Sequence, residues 1–289
     1  MSQIRQLLIR IHFCRGMSNK KLLQLLKHDP SLQIVTEQTL SSLQLLFRWN
    51  SKQVTAFQED YERITDKKID QYLKENKIDV MTIFDTNYPL LLKEIYDPPV
   101  VMYTIGNQAL LQTNMLAVVG SREMTSLGRS SIDTLLPELI EKQWTIVSGI
   151  AAGVDTYAHQ AAIQNQGNTI AVLGSGVLHV YPKSNRKLYE TMKKEQLIVS
   201  EYPPHKRPQK WQFPERNRII SGLSYGVLVI EAKEKSGSLI TADQALEQGR
   251  EVFATPGPIY TKSSSGTNYL IQQGAKMVTQ AKDIWEEWT

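Results

Sequence analysis

The sequence predicts an α/β protein: a doubly wound, mostly parallel sheet over residues 79–289, preceded by a small helical domain over residues 1–78. Two observations carry this. Up to about residue 78 the apolar side chains recur at three- and four-residue spacing, the period of amphipathic helices. From Val80 onward the pattern becomes short β-branched or apolar runs, most of them separated by helix-like segments. Near-continuous apolar strands alternating with helices imply a parallel sheet covered on both faces.

In chain order, Ile4, Leu7, Leu8 and Ile11 mark a first helix, and Ser18 caps a second that carries Leu22, Leu23, Leu25 and Leu26. Val54, Phe57, Tyr61 and Ile64 mark a long third segment that ends near Asn76. Such a bundle has the character of a SAM or helix-hairpin-helix-like module, and its leucine stripes read first as its own core. Strands are predicted at 80–83, 100–105, 116–119, 144–147, 169–173, 197–200, 227–230, 251–254 and 276–278. Asp97-Pro98-Pro99 excludes helix before the second of them.

Composition bounds the function. A single cysteine, Cys14, excludes an internal disulfide framework and a cysteine zinc site, which suits the reducing cytoplasm. No run reaches the roughly 20 apolar residues of a membrane span, and basic residues interrupt the N-terminal segment, so neither anchor nor signal peptide nor membrane partner is expected. The net charge of +4 lies entirely in residues 1–80, whereas the rest of the chain is neutral. Yet residues 183–218 hold ten basic side chains against four acidic ones. A local concentration of this kind steers a polyanion even on a neutral domain.

The informative residues follow the strands. Gly120-Ser121-Arg122 follows 116–119, Ser148-Gly149 to Gly153 and Asp155 follow 144–147, and Gly174-Ser175-Gly176 follows 169–173. Strand, glycine turn and helix start aim backbone N–H groups at an anion, with Thr125 and Ser126 opening the first helix. A nicotinamide cofactor is not expected. The first turn lacks the Gly-x-Gly-x-x-Gly spacing, and the next strand ends in Ser148-Gly149 instead of the acid that binds a ribose. Lys183 and Asn185 lie beyond the third turn, and Arg216-Asn217-Arg218 opens an apolar helix. Tyr181, Tyr202, Trp211 and Phe213 interleave with these cations, as single-stranded nucleic acid requires: charge for phosphates and rings for unpaired bases. Ser236-Gly237-Ser238-Leu239-Ile240-Thr241 opens a further helix, expected over residues 242–248.

In this order, Val118 to Arg122, Ser148 to Asp155, Ala171 to Gly176, Tyr181 to Asn185, Ser200 to Pro204, Phe213 to Ser224, Ser236 to Ala242 and Pro256-Gly257 closely resemble the DNA processing protein A family, DprA/Smf. The resemblance spans about residues 80–280. It implies an extended Rossmann-like fold that binds single-stranded DNA without sequence preference, protects incoming DNA in natural transformation and loads a RecA-type recombinase, as a homodimer. By that likeness Arg122 and Lys183 contact DNA phosphates, Arg216 to Arg218 belong to the same pocket, and Phe213 faces a base. Gly120, Ser121, Gly149, Gly153, Gly174, Gly176, Asn185, Asn217, Ser236, Gly237 and Ser238 stand in the matching motifs. Leu178 replaces an aspartate common in the family, and His205 replaces a glycine. The chain reaches Thr289 soon after the last predicted strand, so the winged-helix extension of some members is expected to be absent.

No catalysis is expected. The five histidines show no ligand spacing, and no Ser-His-Asp set assembles. Asp155 and His159, four residues apart, read as a helix cap and a packed histidine rather than a metal or acid–base pair. The enzyme alternative is a nucleotide phosphoribohydrolase of the lysine-decarboxylase-like family, whose fold is similar. Its Pro-Gly-Gly-x-Gly-Thr turn is not matched by residues 235–241, which have neither a second adjacent glycine nor the following glutamate.

Overall fold

The computed structural model describes residues 2–36 and 40–288. The chain forms two compact units, the first comprising residues up to 88 with 97–103, the second 89–96 with 104 onward. In the first unit lie α1 (Ser2–Phe13), α2 (Asn19–His28), α3 (Gln33–Thr36), α4 (Leu40–Phe47), α5 (Ser51–Arg63), α6 (Asp66–Glu75) and β1 (Asp79–Thr82). Ser18 caps α2 by accepting from the amide of Lys21. The long third segment is two helices. Ile64 is extended and Thr65 caps α6 through the amide of Lys68, so the apolar period runs across a break that a cap residue makes. Leu8, Ile11, Leu22, Leu25 and Phe57 are buried in its core. β1 and the loop after it belong to this unit through side chains as well as backbone. Arg5 bonds Asp85 at 3.1 Å, and the Asn19 side chain accepts from the amide of Val100 and donates to the carbonyl of Pro98.

The second unit begins with α7 (Leu90–Lys93), and β2 (Val101–Gly106) runs into it. Then follow β3 (Met115–Val119), α8 (Ser126–Glu141), β4 (Thr145–Ser148), α9 (Val154–Gln164), β5 (Thr169–Val172), α10 (Arg186–Glu195), β6 (Leu197–Ser200), α11 (Gln212–Leu223), β7 (Gly226–Val229), α12 (Gly237–Glu247), β8 (Glu251–Ala254), α13 (Ser265–Gln272), β9 (Lys276–Met277) and α14 (Lys282–Trp285). The strands lie in the order β6-β5-β4-β3-β7-β8-β9, all parallel, which is the doubly wound Rossmann-like sheet the sequence predicts. β3, β4, β5, β6 and β7 are buried along their whole length because helices cover both faces. Leu116, Ile132, Leu136, Ile146, Leu228 and Phe253 meet in the core beneath α8 and α9, each such side chain contributing about 1.5–3 kcal/mol on full burial.

The winding reverses between β3 and β7. From β3 the chain steps outward through β4, β5 and β6, then returns to lay β7 on the other side of β3, where Val119 pairs with Val229. The turns after these two neighbouring strands therefore diverge to opposite faces and leave a crevice at the carboxyl edge. Among the described residues no helix is long and apolar enough to cross a membrane.

Candidate nucleic-acid interface

The crevice holds a groove of about 600 Å³, lined by the turns after β3 and β7 and by the starts of α11 and α12. The turn after β3 is locked rather than open. Its Ser121 carbonyl accepts from the amide of Val154, and Gly153, at a φ of +79°, makes that close approach. The start of α8 is closed in the same way. Thr125 caps the helix by accepting from the amides of Leu127 and Gly128, and its own amide donates to Glu231 at 2.9 Å, with its hydroxyl bonded to the same carboxylate. Gly128 is required here, since a Cβ would lie 2.5 Å from the Glu231 carboxylate. The helix start expected to receive a phosphate is thus filled by the protein's own carboxylate, which satisfies both the free amide and the positive dipole end.

The start of α12 is different. The Ser236 and Ser238 hydroxyls pair with each other at 2.7 Å, neither caps the helix, and the space above Gly237 is open. The amides of Gly237 and Ser238 stand at the first helical positions without a partner among the described residues. This helix N-terminus faces the groove with donors to offer.

Two cations stand over it, Arg122 and Lys210, both exposed and with side chains free of hydrogen bonds or ion pairs to described residues. A third, Lys233, pairs with Glu123 at 2.6 Å. Beneath them Arg216 is buried and plays another part. Its Nη1 donates to the carbonyls of Gly149 at 2.6 Å and Val172 at 2.5 Å, tying the ends of β4 and β5 together. A side chain at Gly149 would overlap that guanidinium. α9 begins at Val154, so Asp155 is not its cap. The carboxylate sits inside the first turn and accepts from the amides of Gly149 and Ala151. Burial raises the Asp155 pKa and lowers that of Arg216, while the attraction between the two opposes both shifts. His159 is packed, as the sequence predicts, with Nδ1 against the Thr169 hydroxyl at 2.6 Å. Burial first, and the Arg216 charge second, depress it to about 3, so it is neutral at ordinary pH. The groove wall is completed by the rings of Phe213, which covers Gly174, and Tyr181, with centroids 5.4 Å apart and planes tilted by 43°.

Of the residues singled out in the sequence, Gly120, Ser121, Arg122, Phe213, Arg216, Asn217, Ser236, Gly237 and Ser238 come together around the groove. The others do not line it. Gly149 and Gly153 are packing positions in the turns below, and Gly174 lies under Phe213. Gly176 donates to the Lys206 carbonyl at 2.8 Å and fits against the backbone of Pro203 and Pro204. Asn185 is buried and donates to the Ile150 carbonyl at 2.8 Å, while Lys183 beside it is exposed. Arg218 is buried against Glu201 at 2.6 Å. Lys210, Lys233 and Glu123 went unmarked as site residues in the sequence. The signal was positional: Glu123 and Lys233 each follow a strand of the switch point by four residues. Among the described residues no group of three or more His, Cys, Asp or Glu side chains is placed to hold a metal.

Comparison with known proteins bears on this groove. Residues 79–289 match the family described as DNA recombination-mediator protein A. DNA processing protein DprA of Bacillus subtilis (strain 168) is 44% identical over 274 residues, 94% of this chain and 91% of the relative. The X-ray structure of DNA processing protein A from Streptococcus pneumoniae superposes with a TM-score of 0.84 at 40% identity, over 99% of this chain and 97% of that one. A structure of DNA processing protein A from Helicobacter pylori, described for its single-stranded DNA binding mode, matches 73% of this chain and 95% of its own, with a TM-score of 0.66 at 30% identity.

Proposed function

Since the chain belongs to the DNA recombination-mediator protein A family, we propose that it binds single-stranded DNA without sequence preference along the switch-point groove. In this reading it shields incoming DNA in the cytoplasm during natural transformation and recombination, and passes it to a RecA-type recombinase as a homodimer, without a cofactor and without catalysing a reaction. The observation that carries the reading is the combination at one edge of free cations, an uncapped helix start and an aromatic wall: Arg122 and Lys210, the amides of Gly237 and Ser238, and the Phe213–Tyr181 pair.

Each part has a role in such binding. Arg122 and Lys210 take phosphates, and Lys183, exposed beyond the groove, takes a further one along the same strand. The α12 amides bind a phosphate through directed hydrogen bonds. Phe213 and Tyr181 give an unpaired base a π face, which every base accepts and which carries no sequence code. Gly149, Gly153, Gly174, Gly176, Asn185, Arg216 and Arg218 support the site from below by fixing the turns.

A salt series with an oligothymidine tests the reading. If roughly three to five phosphates are neutralised, log affinity falls with log salt at about −0.7 per phosphate, a slope of about −2 to −4. A flat response, a preference for duplex of the same length, or release of free base from nucleoside monophosphates as the phosphoribohydrolase alternative requires, overturns it.

A further inference from the structure

Lys233 and Glu123 stand on adjacent strand-end turns and both line the groove, with Nζ and Oε2 2.6 Å apart. We propose that Glu123 is a built-in counterion for Lys233, occupying the place of a DNA phosphate and displaced by one when single-stranded DNA enters. The proposal rests on the single-strand reading above and assigns to Lys233 a phosphate contact that is masked in the free protein.

A purely structural strap is the other use of such a pair, and the geometry argues against it. The turns after β3 and β7 are already joined by the Ile230 amide to the Val119 carbonyl and by the buried Glu231 to the Thr125 amide. Glu123 and Lys233 are 79% and 53% exposed, a setting in which an ion pair is weak and easily exchanged for another anion. Their neighbours are those of a ligand site: Arg122 precedes Glu123, and the open start of α12 follows Lys233 within five residues. Lys233 also holds the Glu123 carboxyl below the usual carboxylate range, so it is charged and competent to compete throughout the neutral range.

The exchange has a signature in salt dependence. A lysine that meets a phosphate normally releases a condensed cation from the DNA, and this release is what salt opposes. In the wild type the freed Glu123 recovers a cation as Lys233 leaves it, so this one contact is nearly silent to salt. Replacing Glu123 removes the compensation. Binding of oligothymidine is therefore measured between 50 and 200 mM salt for the wild type, Glu123→Gln, Lys233→Ala and the double variant, together with their melting temperatures. Glu123→Gln is expected to tighten binding about two- to fivefold at 0.15 M salt and to steepen the slope by about 0.7. Both gains are expected to vanish when Lys233 is also replaced. An unchanged Glu123→Gln, a gain that survives in the double variant as a general field effect, or a melting temperature that drops sharply in Glu123→Gln overturns the proposal while leaving the single-strand reading intact. A wild type that fails to bind oligothymidine overturns both.

Discussion

Arg218 donates to Glu201 at 2.6 Å with both side chains nearly enclosed, whereas Arg122 stands in solvent with no partner among the described residues. Replacing a buried ion-pair member removes the charge that compensates its partner, at a cost of about 3–5 kcal/mol, whereas trimming an exposed cation costs almost nothing. Arg218→Ala should therefore shift the urea midpoint strongly downward. Arg122→Ala should leave that midpoint unchanged while weakening oligothymidine binding roughly tenfold and making the salt slope shallower by about 0.7. The opposite pattern would exchange the roles of the two arginines. His159 gives a pH prediction at the same scale. Its folded pKa of about 3 lies below the ordinary value of 6.5, so below pH 6.5 the unfolded chain binds a proton that the folded one refuses. The stability it contributes is complete above pH 6.5 and declines as pH falls toward 3, at up to about 1.4 kcal/mol per pH unit. Asp155, with its pKa raised, acts in the opposite sense at the acid end, so the term is read as a difference between proteins. Urea titrations at pH 7 and pH 5 should show a smaller loss for His159→Asn than for the wild type, and parallel losses would contradict the assignment.

At the scale of elements, two helices begin at the switch point with similar sequence signals and opposite consequences. Thr125-Ser126 before α8 and Ser236-Gly237-Ser238 at α12 both read as capped starts behind a strand. Which of them is left open to the groove depends on Glu231, 106 residues from Thr125 in sequence, so no local pattern reveals it. What was legible was local: the Ser18 cap, the strand periods and the turns after each strand. The segment from Val54 to Asn76 departs from a single run for the converse reason, because apolar spacing continues across Thr65 while the helix does not. The open start of α12 makes its own prediction. Ser236→Asp supplies the cap that α12 lacks, so the dipole and the free amides gain a carboxylate worth about 0.3–1 kcal/mol. The same carboxylate sits where a phosphate is proposed to bind. The variant should melt at or slightly above the wild-type temperature and yet bind oligothymidine at least several-fold more weakly. Undiminished binding would remove α12 from the site.

For the whole molecule, the doubly wound order was readable from strands alternating with helices, and with it the edge at which ligands gather. The arginines of the Phe213 to Ser224 motif were not separable in the same way, because burial is a property of the assembled sheet: Arg216 is buried in the groove's lining and Arg218 is buried away from it, while Asn217 between them also reaches the groove. The charge distribution leads to a last prediction. The formal +4 belongs to residues 1–80, so binding driven by net charge would draw on the first unit, whereas binding driven by the groove draws on a domain that is neutral as a whole. Screening separates the two, since the Debye length is about 8 Å at 0.15 M salt and a cation that makes no direct contact with a phosphate acts on a strand only feebly. Lys52, Lys67 and Lys74 are exposed on α5 and α6, and changing all three to Gln lowers the net charge from +4 to +1. At 0.15 M salt this triple variant should bind oligothymidine within about twofold of the wild type, less than the change from Arg122→Ala alone. A tenfold loss in the triple variant would mean that α5 and α6 hold phosphates themselves.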